Sequence, residues 1–467
     1  MSDKRKLDPT ILREYDIRGI VGETLNVAEV RSLARGFGSV VREQMISDQV
    51  PCVAVGYDGR TSSLEFSNAV CGGLRDSGVN VKNVGCGPTP MLYYATHKLN
   101  TDAGMMITGS HNPSNYNGIK LVLAGKPFYG EDIQKLGERV EIGDFKEGSG
   151  EIKLRDLQPS YVQRLLQDFS GENELSVAWD PGNGSSGEII QELVKSLPGK
   201  HFLINEKIDG SFPAHHPDPT IESNLSQLKN LVIKNHCDLG IGFDGDGDRI
   251  GLINSKGQVL WGDQILILLA RDVLKYNPGA TIITDVKASK IFFDEIIKAG
   301  GEPVMWAAGH SLIKSKMLEL NSPLAGEMSG HIFFADKYFG YDDAIYAAIR
   351  LLTILSNSDQ SLDQMYNELP KMLNTPELRI DCPEERKFNI IKEIKSRLRC
   401  ADNITVYNID GIRVETEEGW WLVRASNTQA VLVARCESTD ETGLAFLKEQ
   451  IRAQLAASGV VFTKDII

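Results

Sequence analysis

The sequence lacks most features of secreted, membrane-spanning and nucleic-acid-binding proteins. Its seven cysteines are odd in number and include no Cys-x-x-Cys pair, which argues against a disulfide framework and a cysteine-rich zinc site. No stretch reaches ~18 consecutive apolar residues, so no membrane span is expected. Acidic residues outnumber basic ones by 63 to 50, a net charge of −13, whereas a protein that neutralises nucleic-acid phosphates is normally basic.

The composition is that of a globular protein with several domains. The chain has 467 residues, and at ~150 residues per domain this length predicts about three domains. Hydrophobic residues make up 42% and charged residues 24%, close to the globular norm. The first residues are basic without a following apolar segment, so a signal peptide is not expected. We expect a soluble, cytoplasmic protein with no membrane and no nucleic acid among its partners.

Apolar runs alternate with helical patterns along most of the chain. The runs at 53–57, 79–84 and 104–108 predict strands, and residues 62–77 predict a helix. This alternation favours α/β domains with largely parallel sheets. Strands are more closely spaced in the last hundred residues, which predicts an α+β unit with an antiparallel sheet.

Three predicted strands end in an aspartate beside a turn. The segments are Tyr57-Asp58-Gly59, Trp179-Asp180-Pro181-Gly182 and Thr284-Asp285-Val286-Lys287. This recurrence suggests a duplicated α/β unit.

A polar loop follows the predicted strand at 104–108. It reads Thr108-Gly109-Ser110-His111-Asn112-Pro113, so Ser110 is expected at the carboxyl end of a strand, where open α/β sheets bind ligands. A simple polar turn is the alternative interpretation. The segment is not a Gly-x-Ser-x-Gly elbow, which argues against α/β-hydrolase chemistry.

A second loop concentrates carboxylates. In Asp244-Gly245-Asp246-Gly247-Asp248-Arg249 the glycines let three aspartates converge, and a hard cation such as Mg²⁺ would relieve their repulsion. A hairpin turn is the structural alternative, and a calcium-binding module the functional one. Arg249 occupies the sixth loop position, where an EF-hand has glycine.

Two further loops carry groups that bind sugars or anions. Glu327, Ser329 and His331 alternate along the chain, so an extended segment points all three to one side, as suits a polyhydroxy ligand. Residues 424–428 combine a guanidinium, hydroxyls and an amide in a plausible phosphate cradle. Each could equally be a polar turn. A Gly-x-Gly-x-x-Gly match at 182–187 keeps a nicotinamide-dependent oxidoreductase as a weaker alternative, because Asp180-Pro181 separates its strand from the first glycine.

Taken in order, these segments resemble the α-D-phosphohexomutase family, most closely its bacterial phosphomannomutase/phosphoglucomutase members. The matching segments span the whole chain, namely 15–19, 108–113, 244–249, 285–287, 309–310, 326–331 and 424–428.

The resemblance implies three related α/β domains with mixed sheets and a C-terminal α+β domain around a central active-site cleft. The expected domains are 1–153 bearing the phosphoserine, 154–257 binding the metal, 258–371 recognising the sugar, and 372–467 binding phosphate. It also implies reversible interconversion of mannose or glucose 1-phosphate and 6-phosphate through a hexose 1,6-bisphosphate that reorients in the cleft. Such an isomerase supplies precursors for nucleotide-sugar and polysaccharide synthesis.

The resemblance further implies roles for individual residues. Ser110 would be phosphorylated and would bind Mg²⁺ together with Asp244, Asp246 and Asp248. The remaining implied site residues are Tyr15, Arg18, His111, Lys120, Arg249, Lys287, His310, Glu327, Ser329, His331, Arg424, Ser426, Asn427 and Thr428. Lys120, His331 and Arg18 are candidates for moving the proton, with Lys120 favoured. Glucose 1,6-bisphosphate or mannose 1,6-bisphosphate would act as activator on an enzyme expected to be monomeric.

Two positions bear on the alternatives within the family. Phosphoglucosamine mutases usually have Gln where this chain has Met328, and a different terminal loop, which argues against that activity. Close relatives usually continue Thr-Pro where this chain has Gln429-Ala430, so the phosphate loop loses a stiffening proline.

Overall fold

The computed structural model describes residues 5–45, 49–398, 404–426 and 430–461. Its strands form four sheets in succession along the chain, here called the first, second, third and C-terminal sheets. None of the helices in the described ranges combines the length and apolarity needed to cross a bilayer.

The first sheet extends through most of the first 154 residues. Its strands are β1 (Ile17–Ile20), β2 (Cys52–Tyr57), β3 (Asn80–Cys86), β4 (Ala103–Ile107), β5 (Tyr116–Leu123), β6 (Lys126–Pro127) and β7 (Ile152–Leu154). The helices are α1 (Val27–Gln44), α2 (Ser63–Asp76), α3 (Thr89–Lys98) and α4 (Glu131–Ile142). The boundary predicted after residue 153 falls inside β7, which pairs with β3.

The second and third sheets follow with their own helices. The second contains β8 (Leu175–Asp180), β9 (Gly199–Leu203), β10 (Leu239–Phe243), β11 (Ile250–Asn254) and β12 (Val259–Leu260), with α5 (Gln158–Leu166), α6 (Gly187–Val194) and α7 (Ser226–Asn235). The third contains β13 (Thr281–Asp285), β14 (Glu302–Trp306), β15 (Leu324–Gly326) and β16 (Ile332–Phe334), with α8 (Gly262–Tyr276), α9 (Lys290–Lys298), α10 (His310–Leu320), α11 (Ala344–Ser356) and α12 (Leu362–Glu368).

The first three sheets share one topology, which supports the duplication suggested by the sequence. In each sheet, the strand at the recurring aspartate, namely β2, β8 or β13, lies between two strands that run parallel to it. One of those neighbours then pairs antiparallel with the next strand in the chain, in the hairpins β4–β5, β10–β11 and β15–β16. The sheets are therefore mixed, as the resemblance implies.

The C-terminal sheet is antiparallel throughout its described strands, which confirms the prediction for this region. Its strands are β17 (Leu373–Asn374), β18 (Leu378–Asp381), β19 (Thr405–Tyr407), β20 (Ile412–Thr416), β21 (Gly419–Ala425) and β22 (Val431–Ser438). Helices α13 (Glu384–Leu398) and α14 (Glu441–Ala457) cover one face.

Core packing separates the C-terminal unit from the rest. One continuous apolar core joins α3, the second sheet and the helices of the third sheet. The C-terminal sheet has its own core, to which Trp421 and Val423 contribute. A small cluster of Val286, Trp420 and Leu422 bridges the third and C-terminal sheets.

Candidate active site

The three chemistry-bearing loops occupy equivalent places in the fold. Each connects the two antiparallel strands of a hairpin: the Ser110 loop between β4 and β5, the aspartate loop between β10 and β11, and the Glu327 loop between β15 and β16. They meet directly. The Ser110 hydroxyl donates a 3.0 Å hydrogen bond to Asp244 Oδ2, and Arg249 Nε donates one of 2.9 Å to His331 Nε2.

Ser110 is buried and held in an unusual backbone conformation. Its φ of 48° lies in the left-handed region, which non-glycine residues seldom adopt. The Ser110 amide donates to the Thr108 hydroxyl at 2.8 Å, and that hydroxyl in turn donates to Asp58 at 2.8 Å. Local strain is thus offset by hydrogen bonds from a neighbouring strand end.

Arg60 anchors the serine loop and was not anticipated from the sequence. Its guanidinium donates to four backbone carbonyl groups, two of which belong to Ser110 (2.7 Å) and Asn112 (2.6 Å). Arg60 Nε also contacts Asp58 Oδ2 at 3.2 Å, and both side chains are essentially fully buried. Only the recurring strand-end aspartate marked this region in the sequence.

The aspartate loop forms a compact cluster of buried carboxylates. One oxygen from each of Asp244, Asp246 and Asp248 lies within 4.8 Å of the others. Asp244 Oδ1 accepts hydrogen bonds from the amides of Asp248 and Arg249, both at 3.1 Å. Asp246 Oδ1 and Asp248 Oδ1 are buried without a hydrogen-bond partner. Convergent, incompletely satisfied carboxylate oxygens are a donor set that fits Mg²⁺.

Lys120 supplies the compensating charge. Its Nζ lies 2.7 Å from Asp246 Oδ2 and also contacts Asp248 Oδ2. Burial alone would lower the pKa of Lys120, but these two carboxylates outweigh it and raise the pKa well above its usual value. Burial and the two neighbouring aspartates also raise the pKa of Asp244. The site therefore holds Lys120 as an ammonium ion.

His331 connects the aspartate loop to the third sheet. Because its Nε2 accepts from Arg249, the neutral ring carries its proton on Nδ1. His331 Nδ1 lies 3.1 Å from Asp342 Oδ2, and Lys314 Nζ lies 2.9 Å from the other oxygen of Asp342. Asp342 was not predicted, since it lies outside the recognised segments.

His111 and Arg18 lie on either side of the Ser110 loop. His111 Nδ1 is 3.1 Å from Asp218 Oδ2, and burial together with the charge of Arg249 lowers the pKa of His111 to about 3. Arg18 Nη1 donates to Asn112 Oδ1 at 2.5 Å.

The Glu327 loop faces the start of α10. The Gly309 amide donates to Glu327 Oε1 at 2.7 Å, and burial raises the pKa of Glu327. Tyr15 lies just before β1 of the first sheet, and its hydroxyl donates to the Ala308 carbonyl, which precedes α10, at 2.6 Å. The rings of Tyr15 and His310 meet edge to face. Ser329 is partly exposed in the same loop.

Two cationic groups meet carboxylates of the C-terminal unit, Arg424 from that unit itself and Lys287 from the third sheet. Arg424 Nη2 lies 2.8 Å from Asp410 Oδ2, which also accepts from the Ala308 amide at 3.1 Å. Lys287 Nζ lies 3.4 Å from Glu377 Oε2. The Ser426 carbonyl accepts from Lys387 Nζ at 2.6 Å. The predicted phosphate-loop residues Asn427 and Thr428, with Gln429, lie outside the described residues.

Family models agree with this four-part arrangement. Models described as phosphoglucomutase/phosphomannomutase match as alpha/beta/alpha domain I at residues 9–147, domain II at 159–257, domain III at 261–373 and the C-terminal domain at 377–454.

Individual relatives match over nearly the whole chain. A phosphomannomutase/phosphoglucomutase from Pseudomonas aeruginosa is 43% identical over 452 residues, covering 97% of this chain and 96% of the relative. A phosphoglucomutase from Neisseria gonorrhoeae is 38% identical over 451 residues, covering 96% and 97%. The crystal structure of a phosphoglucomutase/phosphomannomutase family protein from Burkholderia thailandensis matches with a TM-score of 0.90 at 39% identity, covering 97% of this chain and 98% of that one.

Proposed function

The chain belongs to the α-D-phosphohexomutase family, and from this premise we propose how its residues interconvert hexose 1-phosphates and hexose 6-phosphates. The enzyme is an isomerase that acts on mannose and glucose phosphates, as its 42–43% identical relatives do. The observation that carries the proposal is the contact of Ser110 Oγ with Asp244, which places a hydroxyl at the carboxylate cluster. A phosphoglucosamine mutase is not favoured.

Ser110 is the residue that carries the phosphoryl group. As the bond from phosphorus to Ser110 Oγ breaks, a bond forms to the oxygen of the free sugar hydroxyl, whose proton passes to a base, and the leaving Ser110 oxygen takes up a proton to become a hydroxyl. The product is a hexose 1,6-bisphosphate, which turns end for end in the cleft. The Ser110 hydroxyl then attacks the other phosphoryl group and loses its proton, while the sugar oxygen that leaves takes up a proton. By the same step, added glucose 1,6-bisphosphate loads the unphosphorylated enzyme.

The three aspartates, together with a phosphate on Ser110, would hold Mg²⁺. When bound, the ion supplies a Lewis acid that neutralises negative charge on the phosphoryl oxygens. Arg249 adds a fixed positive charge beside the same loop, where its Nε lies 4.0 Å from Asp244 Oδ2. Charge that develops on the transferring group is therefore met by groups already in place.

Lys120 is the residue we assign to proton transfer. It lies opposite Met106 on the neighbouring strand, close to the end of β4 that leads to Ser110. Lys120 shares Asp246 and Asp248 with the proposed cation site, and loss of those contacts would lower its pKa and free its amine. His331 is less suited, because Arg249 already occupies the lone pair on its Nε2.

Substrate binding needs one anion site that serves both orientations of the sugar. Glu327 and Ser329 would bind the 3- and 4-hydroxyls, which glucose and mannose share. Arg424 and Ser426 would hold the phosphate far from Ser110, with Asn427 and Thr428 from the same loop. Lys287, His310 and Tyr15 lie nearby and would contact the same end, whereas Arg18 and His111 lie around Ser110.

The test is a ³¹P NMR time course with mannose 1-phosphate or glucose 1-phosphate, Mg²⁺ and catalytic glucose 1,6-bisphosphate. Growth of the 6-phosphate resonance from both sugars is expected. Ser110→Ala should reduce turnover by roughly 10³-fold or more, because the covalent carrier is lost. Ser114→Ala, an exposed serine of the same loop, is the matched control and should turn over normally. Failure of the wild type on both sugars would refute the function, and an active Ser110→Ala variant would refute the carrier.

A further inference from the structure

One face of the C-terminal sheet has a regular charged and aromatic pattern. Arg413, Leu422 and Arg435 lie directly across from one another on β20, β21 and β22. Glu415, Trp420 and Glu437 form the adjacent row on the same three strands. Since side chains alternate between faces along a strand, both rows share one face. We call this set of six residues the docking face; the opposite face packs on α13 and α14.

The docking face binds the loop that joins β13 to α9. Arg413 Nη1 donates to the carbonyl oxygens of Val286 at 2.9 Å and Ala288 at 2.7 Å. Arg435 Nη1 donates to the carbonyl of Lys287, which lies between them. Three consecutive backbone carbonyls of this loop are thus bound by two guanidinium groups of another sheet.

The rest of the docking face completes this contact. Glu437 Oε1 accepts from the Ser289 hydroxyl at 2.9 Å, the Lys290 amide at 3.0 Å and Trp420 Nε1 at 2.9 Å. The Arg413 guanidinium lies 3.8 Å from the centre of the Trp420 ring, a cation–π distance. Arg413 and Glu437 are each only 1% exposed. Arginines buried this deeply require the fixed geometry that these partners provide.

The loop held in this way carries Lys287, whose own ammonium also meets the C-terminal unit. Lys287 Nζ lies 3.4 Å from Glu377 Oε2, and the side chain is 13% exposed. The C-terminal unit therefore contacts Lys287 at both its backbone and its side chain. Among the described residues, the hydrogen bonds and ion pair of Arg413 go to the Val286 and Ala288 carbonyls and to Glu415, so its effect on substrate passes through the loop.

We propose that Arg413 and Arg435 are positioning residues that set the Lys287 ammonium for the distal phosphate of the substrate. This inference rests on the proposed function, because Lys287 is a substrate ligand only there. It gives the docked C-terminal unit a second role beside its own phosphate loop. The contact between the docking face and the β13–α9 loop thus fixes the position of Lys287, which belongs to the third sheet.

The test is a double-mutant cycle on kcat/KM for glucose 1-phosphate. Arg413→Lys keeps the charge, but a single ammonium cannot reproduce the guanidinium's planar contacts with two carbonyls and Trp420. We expect Arg413→Lys to lower kcat/KM about tenfold, mainly through KM, which corresponds to 1.4 kcal/mol. In a Lys287→Ala background the same change should cost less than about twofold, because coupled residues are not additive. Arg386→Lys, on the exposed side of α13, is the control and should change neither background.

A second measurement does not depend on turnover. Hydrogen exchange of the peptide covering 286–290 should accelerate in Arg413→Lys and in Arg435→Lys, and not in Arg386→Lys. Equal tenfold losses with and without Lys287 would overturn the proposal, as would unchanged exchange in both arginine variants. If Arg413→Lys fails to fold, the cycle with Arg435→Lys decides. A wild type that is inactive on sugar phosphates refutes the proposed function, whereas an active wild type with additive losses refutes only this inference.

Discussion

The first and third sheets use the same short motif in opposite ways. In both, an aspartate lies at the carboxyl end of an interior strand, directly after β2 or as the last residue of β13, and a basic residue follows two positions later, as Asp58-Gly59-Arg60 and Asp285-Val286-Lys287. Both aspartates hold the adjacent chemistry-bearing loop through a backbone amide, from Gly109 at 3.2 Å and from Met328 at 3.2 Å. The basic residues then diverge. Arg60 turns inward beneath the serine loop, whereas Lys287 lies against the C-terminal unit.

The difference shows that a guanidinium suits an anchoring role and an ammonium suits binding an anionic ligand. A guanidinium offers five donors in a rigid plane and can satisfy several carbonyls at once, as Arg60 does. An ammonium is a compact charge on a flexible stem, suited to meeting an anionic ligand. The equivalent strand end in the second sheet, at Asp180, is followed by Pro181 and Gly182, so no basic residue stands two positions later. Arg60 and Lys287 thus occupy equivalent positions, but Arg60 anchors a loop of the first sheet, whereas Lys287 is a proposed substrate ligand in the third.

Removing the anchor should have the largest effect on stability. Arg60→Met leaves Asp58 buried without its cation and four carbonyls without their donor, so we expect a loss of about 3–5 kcal/mol in the free energy of unfolding. Urea unfolding followed by circular dichroism measures this loss. Arg75→Met, an exposed arginine of the same domain segment, is the control and should change stability by less than about 0.5 kcal/mol. A loss below about 1 kcal/mol in Arg60→Met would show that the loop does not depend on its anchor.

Removing the proposed ligand should affect catalysis more than stability. We expect Lys287→Met to lower kcat/KM roughly 10- to 150-fold, the value of a charge-assisted hydrogen bond of about 1.5–3 kcal/mol. Its free energy of unfolding should fall by about 1 kcal/mol or less. Lys287→Arg should recover part of the activity, whereas Arg60→Lys should not recover the stability of the first sheet. If Lys287→Arg recovers no activity, or if Arg60→Lys keeps the stability of the wild type, the distinction between anchor and ligand is wrong.

The fold class and the chemistry-bearing loops could be predicted from the sequence, because both are encoded by residues that are close together in the chain. Apolar periodicity placed β2 and α2 to within a residue at each end. The chemistry-bearing loops followed from residue type at the ends of strands. Arg60, Asp218 and Asp342 were missed, because a partner distant in the chain gives each its role. The repeated strand-end aspartate was the one signal that pointed toward Arg60.

The smallest effect concerns the acid that holds Lys287. Burial alone would raise the pKa of Glu377, but the charges of Lys287 and Arg379 lower it to about 2, from 4.5. A carboxyl whose pKa is lower in the folded state stabilises the fold above pH 4.5 and loses that contribution as the pH falls toward 2. Glu377 is a quarter exposed, so screening by solvent limits the contribution to about 1–2 kcal/mol.

Glu377→Gln removes this titration and should be less stable than the wild type at pH 7, with the gap closing between pH 4.5 and pH 2.5. Urea unfolding of both proteins across this range measures the gap, and Glu449→Gln, on the exposed side of α14, should show no such trend. A gap that stays constant with pH would mean that Lys287 does not hold Glu377 ionised. The contact of Lys287 with Glu377 would then contribute nothing measurable to stability, and Asp285, whose Oδ2 lies 3.8 Å from Lys287 Nζ, would be the remaining carboxylate beside it.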